Sequence, residues 1–263
     1  MKIWERAGII SQECLCDGVY SMWLATDIGG TAEPGQFVSV YSNSDARLLP
    51  RPISICETGT FEGKKSIRLV YRVAGAGTKE FSKLCEGDSL DVMGPLGNGF
   101  LKAAEGRTDA GTKALLIGGG IGIPPMVELA KRLTCDVTTV AGYRSAKELF
   151  LTKELEKEGR LFAATYDGSF GTCGNVIDAI RENDIRADII FACGPKPMLK
   201  GIKAFSEELG IPAYVSLEER MACGVGACLG CVCGSAAIDD HSKVKNKRVC
   251  VDGPVFEASE VVL

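Results

Sequence analysis

Lys113-Ala114-Leu115-Leu116-Ile117-Gly118-Gly119-Gly120-Ile121-Gly122-Ile123-Pro124-Pro125-Met126 decides how the second half of this chain folds. Residues 114–117 form a continuous apolar run, as a buried strand requires. A glycine turn follows, and a helical pattern runs over residues 125–133. Glycines let the backbone approach a pyrophosphate, and a helix N-terminus attracts its negative charge. Proline suits the first helical turn, where its missing N–H costs nothing. A glycine turn alone merely connects elements. One that follows a strand and opens a helix predicts dinucleotide binding, with Gly118, Gly120 and Gly122 against the ligand.

Outward from this stretch the same grammar repeats. Apolar strand-like runs at 137–141, 162–165, 188–192 and 213–217 alternate with helical patterns at 146–158, 176–182 and 196–209. Such alternation predicts a Rossmann-like parallel α/β sheet. Cys193-Gly194-Pro195-Lys196-Pro197-Met198 follows the strand at 188–192 and falls at the carboxyl edge, where such sheets bind ligands. Gly194 permits close approach to a nicotinamide, with Cys193 and Met198 beside it. Cys193 has no evident base, so a nucleophilic role is not expected. The second strand ends in Gly142-Tyr143-Arg144-Ser145 rather than in a ribose-binding acid. Arg144 is then a solvated turn residue or a 2′-phosphate acceptor, and NAD and NADP stay undistinguished.

Before residue 105 the pattern differs. Short apolar or alternating runs at 18–25, 36–41, 52–56, 66–73 and 89–93 lie between glycine and proline turns, with one helical stretch at 78–84. Many short strands at this spacing predict a closed antiparallel barrel. Arg51-Pro52-Ile53-Ser54 offers a forked donor, a fixed φ and a short hydroxyl. Val70-Tyr71-Arg72 follows, then Gly75-Ala76-Gly77-Thr78 opens a helix, a second place for phosphate. Tyr71 could stack on an aromatic ring, although a strand tyrosine is ordinarily core. Ahead of a nucleotide-binding domain, these motifs together point to a flavin.

A third signal lies at 221–233: Met221-Ala222-Cys223-Gly224-Val225-Gly226-Ala227-Cys228-Leu229-Gly230-Cys231-Val232-Cys233. Cys223, Cys228 and Cys231 have the C-x4-C-x2-C spacing of plant-type [2Fe–2S] sites, which take a fourth cysteine further on. Cys250 follows, and Cys233 is nearer. The interleaved glycines can expose N–H groups and adopt positive φ. A structural zinc site is the bland alternative for these thiols.

The bulk numbers exclude other classes. The 263 residues are 46% hydrophobic and 24% charged with a formal charge of −4, giving no reason to expect nucleic acid or an anionic membrane as partner. The N-terminus lacks the apolar region of a signal peptide, and no run of about 18 apolar residues exists to span a bilayer. Of twelve cysteines, the seven outside 223–250 are expected to be small buried hydrophobes in a reducing cytoplasm. The single histidine, His241, falls in a polar insert from Asp239 to Arg248 and is expected to be solvated. No carboxylate pair or metal-activated water site is evident, so no catalytic residue for an organic substrate is assigned.

The order R-P-x-S, G-x-G-T, G-G-G-I-G-I-P-P-M and C-G-P-x-P-M resembles the ferredoxin-NADP reductase superfamily. Ser216 to Cys228 resembles, more narrowly, the electron-transfer subunits of type B dihydroorotate dehydrogenase. The resemblance covers essentially the whole chain. It implies an FAD-binding barrel over 1–102, an NAD-binding α/β domain over 103–215 and a small [2Fe–2S] domain over 216–263. It implies FAD held by Arg51, Pro52, Ile53, Ser54, Val70, Tyr71, Arg72, Gly77 and Thr78, and a cluster on Cys223, Cys228, Cys231 and Cys250. Cys250 is preferred to Cys233, which is too near Cys231 to reach the far side of a cluster easily. It implies NAD(H) as the third redox group and a catalytic partner subunit carrying FMN, two of each chain in a heterotetramer. That complex would oxidise dihydroorotate in pyrimidine biosynthesis. Related ferredoxin or sulfide reductase subunits tend to carry Asp in the first ligand position, where this chain has Cys223. A cluster-based redox sensor would not need the flavin and nicotinamide motifs.

Overall fold

The computed structural model describes residues 2–238 and 243–263. His241 and the start of the polar insert, 239–242, lie outside the described residues. Six strands close an antiparallel barrel: β1 (Ile3–Cys16), β2 (Val19–Ala25), β3 (Phe37–Val40), β4 (Arg51–Phe61), β5 (Lys64–Arg72) and β6 (Ser89–Leu96), in the order β1-β2-β5-β4-β3-β6. The alternation behind this is plain in β3 and β6. Val38, Val40, Leu90 and Val92 fill the barrel with Ile53, Ile55, Leu69 and Tyr71, and the alternate side chains face outward. Helix α1 (Ala76–Phe81) lays Phe81 against this core. β1 escaped sequence detection because its apolar positions are broken by Glu5, Arg6, Gln12 and Glu13, each half-buried or exposed.

After the short helix α2 (Phe100–Ala103) the parallel sheet begins. Its members are β7 (Lys113–Gly119), β8 (Asp136–Tyr143), β9 (Arg160–Thr165), β10 (Thr172–Cys173), β11 (Ile189–Cys193), β12 (Ala213–Ser216) and, from the C-terminal segment, β15 (Val255–Glu257). The order β10-β9-β8-β7-β11-β12-β15 places the topological switch between β7 and β11. Helices α3 (Pro124–Arg132), α4 (Thr152–Glu158), α5 (Val176–Glu182) and α6 (Lys196–Leu209) cover its faces. The helix expected over 146–158 is divided. Its first turn is a 3₁₀ segment, Ala146–Glu148, and Leu151 takes φ 60° before α4 starts.

The cysteine segment does not simply hang from the sheet. It forms a small hairpin, β13 (Val232–Gly234) with β14 (Asn246–Arg248), then returns so that β15 pairs antiparallel with β12. It is also tied to the barrel. Asn98 takes a backbone bond from its N–H to Gly253 O (2.7 Å), and its side chain donates to Val251 O (2.8 Å) and Asp252 O (3.1 Å). Among the described residues no helix is long and apolar enough to cross a membrane.

The expectation for the scattered cysteines needs correction. Cys56 and Cys193 are buried, Cys16 and Cys135 are half-buried, and Cys14, Cys85 and Cys173 are exposed. The exposed three flank a hairpin, a turn and an edge strand, where neighbours cover one side only.

Candidate cofactor and cluster sites

The nicotinamide motifs meet at the switch point. Gly118 at the end of β7 is paired with Cys193 at the end of β11. The next residues interlock closely, and at Gly122 fixed backbone bars a side chain. A β-carbon on Gly122 would stand 2.2 Å from Cys193 O, and one on Gly119 would stand 2.5 Å from the Met198 sulfur. A β-carbon on Gly194 would lie 2.4 Å from the Met198 methyl. Gly120 takes φ +52° with open space where its side chain would be, which leaves its backbone accessible. Ala114, Leu116 and Cys193 are buried together with Ile123, so the turn is anchored by apolar packing below it. Burial pushes the Cys193 thiol well up, Glu218 adds to this and Ser216 opposes it by hydrogen bonding, so a thiolate nucleophile is disfavoured. Ser216 and Glu218 are members of this edge that the motifs did not flag; only their position after the strand at 213–217 could have indicated them. Arg144 is exposed one residue past β8.

The flavin motifs converge on the barrel strands β3, β4 and β5. Arg51, Pro52, Ile53 and Ser54 open β4 and pair with Val40, Ser39, Val38 and Phe37. The Arg51 guanidinium lies against Gly77, where a β-carbon would be 2.4 Å from Arg51 Nε and 2.7 Å from Cζ. Arg51 and Gly77 are twenty-six residues apart in sequence and form one cradle, with a fork of donors over a bare backbone, suited to a pyrophosphate. The Thr78 hydroxyl is committed to the turn itself, accepting from Ala74 N–H (2.9 Å) and Gly75 N–H (3.2 Å).

Two flavin-motif side chains point elsewhere. Tyr71 is in the barrel core, its hydroxyl donating to Gln12 Oε1 (2.9 Å) and its ring 6.0 Å from that of Tyr20, so it offers backbone rather than a stacking face. Arg72 is held in an ion pair with Glu148 at 3.2 Å, which ties the barrel to the α/β sheet. Val70 faces out of the barrel into the core that contains Ile123 and Cys193.

The cysteine loop shows the backbone its glycines promised. Gly224 and Gly226 take φ 66° and 86°, and Leu229 takes 57°. Three N–H groups then point at one sulfur: Val225, Ala227 and Cys228 donate to Cys223 Sγ at 3.4, 3.3 and 3.4 Å. Burial raises the Cys223 thiol, but these bonds and one from the Cys228 thiol outweigh it and bring Cys223 down to about 6. Gly230 N–H serves Cys228 Sγ (3.4 Å) in the same way. Cys250 joins from the far side of the segment. Its N–H donates to Cys231 Sγ at 3.4 Å. Its own thiol is pushed up to about 12 by burial, by donation to Cys231 and by the charges of Cys231 and Cys223, while Gly226 N–H lowers it.

The thiols therefore fall into two couples, Cys223 with Cys228 and Cys231 with Cys250. Among the described residues no three Cys, His, Asp or Glu groups converge to hold one metal ion. A two-iron cluster, by contrast, takes two protein ligands on each iron. Donor set, couples and inward N–H groups fit such a cluster. Cys233 stands apart on β13, where Glu219, Lys196 and the Lys247 backbone are its neighbours.

The charges at the interface between barrel and sheet were not legible in the motifs. Glu57 and Arg68 are both buried, with Arg68 Nη1 2.7 Å from Glu57 Oε2, and Lys131 of α3 bonds the other Glu57 oxygen. Glu128 of α3, also buried, accepts from Thr58 N–H (2.9 Å) and Thr58 Oγ1 (2.8 Å). Strand β4 and helix α3 are thus bolted together.

Three comparisons bear on this geometry. Residues 218–262 match the family described as the iron-sulfur cluster binding domain of dihydroorotate dehydrogenase B. The electron transfer subunit of dihydroorotate dehydrogenase B (NAD(+)) from Listeria monocytogenes serotype 4a is 46% identical over 258 residues, covering 97% of each chain. The protein of the same name from Bacillus caldolyticus is 44% identical over 266 residues, covering 98% of each. Among solved structures, an NADH-dependent reduced ferredoxin-NADP oxidoreductase aligns with TM-score 0.84 and 30% identity over 97% of this chain and 89% of that one. A Neisseria gonorrhoeae ferredoxin NADP+ reductase with bound FAD and NADP shares the fold at TM-score 0.61 and 17% identity, over 79% of this chain and 91% of that one.

Proposed function

The chain belongs to the electron transfer subunits of NAD-dependent dihydroorotate dehydrogenase B, and from that premise we propose how its residues link a separate dihydroorotate-oxidising subunit to NAD⁺. The observation that carries the proposal is the way three sets of residues share the barrel wall. Val70 of the flavin motif packs in one apolar core with Ile123 and Cys193 of the nicotinamide edge. Phe37, paired with Ser54 of the flavin motif, packs in another with Cys231 and Cys250. The flavin residues thus share one buried core with the nicotinamide edge and another with the cysteine couples.

FAD, when bound, exchanges two electrons with the nicotinamide and single electrons with a [2Fe–2S] cluster, which makes this order a chemical necessity. The protein's own contribution is positional. Arg51 and Gly77 would hold the flavin pyrophosphate; Pro52, Ile53, Ser54 and Thr78 with the Val70–Arg72 backbone would line the remainder. Gly120, open where its side chain would be, would admit the nicotinamide pyrophosphate, with Gly118 and Gly122 closing the turn onto Ile123 and Cys193; Gly194, Cys193 and Met198 would face the nicotinamide. Cys223, Cys228, Cys231 and Cys250 are the cluster ligands, and Cys233 is a buried strand residue.

The functional units are 1–102 for FAD, 103–215 for NAD and 216–263 for the cluster. The partner carries FMN and oxidises dihydroorotate to orotate; two copies of each chain assemble in the cytoplasm. Cys228 and the apolar Val225, Leu229 and Val232 are exposed at the outer end of the loop, which suits a face that hands electrons to a partner.

An absorption spectrum of the anaerobically purified chain tests this reading. Flavin and cluster bands that bleach on adding NADH are expected. A colourless, zinc-loaded chain would overturn it. Co-expression with the partner should give a complex whose mass equals two of each chain.

A further inference from the structure

We propose that the hydroxyl of Ser39 is a hydrogen-bond donor to the cluster on its Cys223 side and raises the cluster's reduction potential. This rests on the assignment of Cys223, Cys228, Cys231 and Cys250 as its ligands. Ser39 lies in β3 between two residues that fill the barrel, Val38 and Val40, so its own side chain points outward on the face it shares with Phe37. That face is covered, and Ser39 is 1% exposed.

Among the described residues, Ser39 Oγ is the one buried side-chain oxygen or nitrogen without a hydrogen-bond partner. A β-carbon on Gly224 would stand 2.9 Å from Ser39 Oγ, 3.3 Å from Leu96 Cδ1 and 4.0 Å from Met93 Cε, so the hydroxyl and these two aliphatic groups meet at the residue that follows Cys223. A buried hydroxyl without an acceptor carries a desolvation penalty. Through Gly224, the outward side of Ser39 is the side of the first cluster ligand. On the adjacent strand, Ser39 is paired with Pro52 of the flavin motif. The orphan donor sits between the two redox sites.

The acceptor that would satisfy it is a sulfur of the cluster. A reduced cluster carries one more negative charge than an oxidised one. A donor aimed at its sulfur favours the reduced form and raises the potential.

The test is a redox titration of the full chain loaded with FAD and cluster, following the reduced cluster by electron paramagnetic resonance and the flavin by absorbance. Ser39→Ala removes one oxygen from a packed site and should leave the iron content unchanged. We expect it to shift the cluster's reduction equilibrium about tenfold toward the oxidised form, equivalent to about 59 mV downward for a one-electron couple. The flavin midpoint should not move, and Ser39→Thr, which keeps the donor, should retain the wild-type potential. One exchangeable-proton coupling to the reduced cluster should be lost in Ser39→Ala, while those from the loop N–H groups on the ligand sulfurs remain. An unmoved cluster potential, or a shift confined to the flavin, would overturn the proposal. A wild-type chain with no cluster signal would instead sink the ligand assignment beneath it.

Discussion

Replacing Glu57 by Gln should cost the chain about 3 kcal/mol, the low end of the roughly 3–5 kcal/mol for breaking a buried ion pair. The structure sets that figure. Both Glu57 oxygens are used, one by Arg68 at 2.7 Å and the other by Lys131. Glutamine keeps one acceptor and turns an amide against a cation. The loss is held to the low end because Arg68 retains Glu154 at 3.1 Å and Glu13 at 3.6 Å, and because Lys131 is 36% exposed and can turn to water. For a chain of this length each kcal/mol moves the melting temperature by about 2–4 °C, so Glu57→Gln should melt about 6–12 °C lower. Thermal unfolding followed by circular dichroism at pH 7 measures this. A shift under about 2 °C would refute the idea that these charges bolt barrel to sheet.

A second readout comes from pH. Burial raises the Glu57 carboxyl, but bonds and charge from Lys131 and Arg68 outweigh it and leave it below its ordinary 4.5. A carboxyl depressed in the folded state stabilises above its unfolded value and loses that contribution as pH falls through the folded one. The gap between wild type and Glu57→Gln should therefore be full above pH 4.5 and close progressively below it.

The sites predict three further outcomes. Gly122→Ala would drive a β-carbon to 2.2 Å from the Cys193 carbonyl, a backbone atom that cannot swing away, so NADH should no longer reduce a chain that still holds FAD, as stopped-flow absorbance would show. Gly77→Ala would displace the Arg51 guanidinium from its cradle, and equilibrium dialysis should find FAD bound about tenfold more weakly, about 1.4 kcal/mol. Cys250→Ser should abolish the cluster's absorption and iron while Cys233→Ser keeps both, because only Cys250 shares hydrogen bonds with the other three ligands' loop.

The candidate site motifs were legible in the sequence and the walls between them were not, for a physical reason. Glycine turns, the Arg51–Ser54 segment and the C-x4-C-x2-C spacing are local patterns, so each can be read as a string. Even the pairing of Gly118 with Cys193 was implicit in two strands ending at one sheet edge. Glu57, Arg68, Glu128 and Lys131 are different. Each is an ordinary surface type at an ordinary spacing, and only burial of β4 against α3 turns them into a network. β15 was missed likewise, since three residues carry no periodicity and its partner β12 lies some forty residues earlier.

What the fold adds is a shared support. β4 begins with Arg51-Pro52-Ile53-Ser54 and continues into Glu57 and Thr58, which grip α3. α3 in turn begins beside the glycine turn proposed to take the dinucleotide. Its neighbour β3 pairs with the flavin motif along one edge, and its outward face supports the cysteine loop through Phe37 and Ser39. The β4–α3 charges thus tie the strand of the flavin motif to the helix behind the glycine turn, and the outward residues of β3 tie the neighbouring strand to the cysteine loop. Disturbing the first should alter hydride transfer while leaving the cluster potential where it was; disturbing the second should do the reverse. Two adjacent strands therefore carry separate contacts, one to the helix behind the glycine turn and one to the cysteine loop.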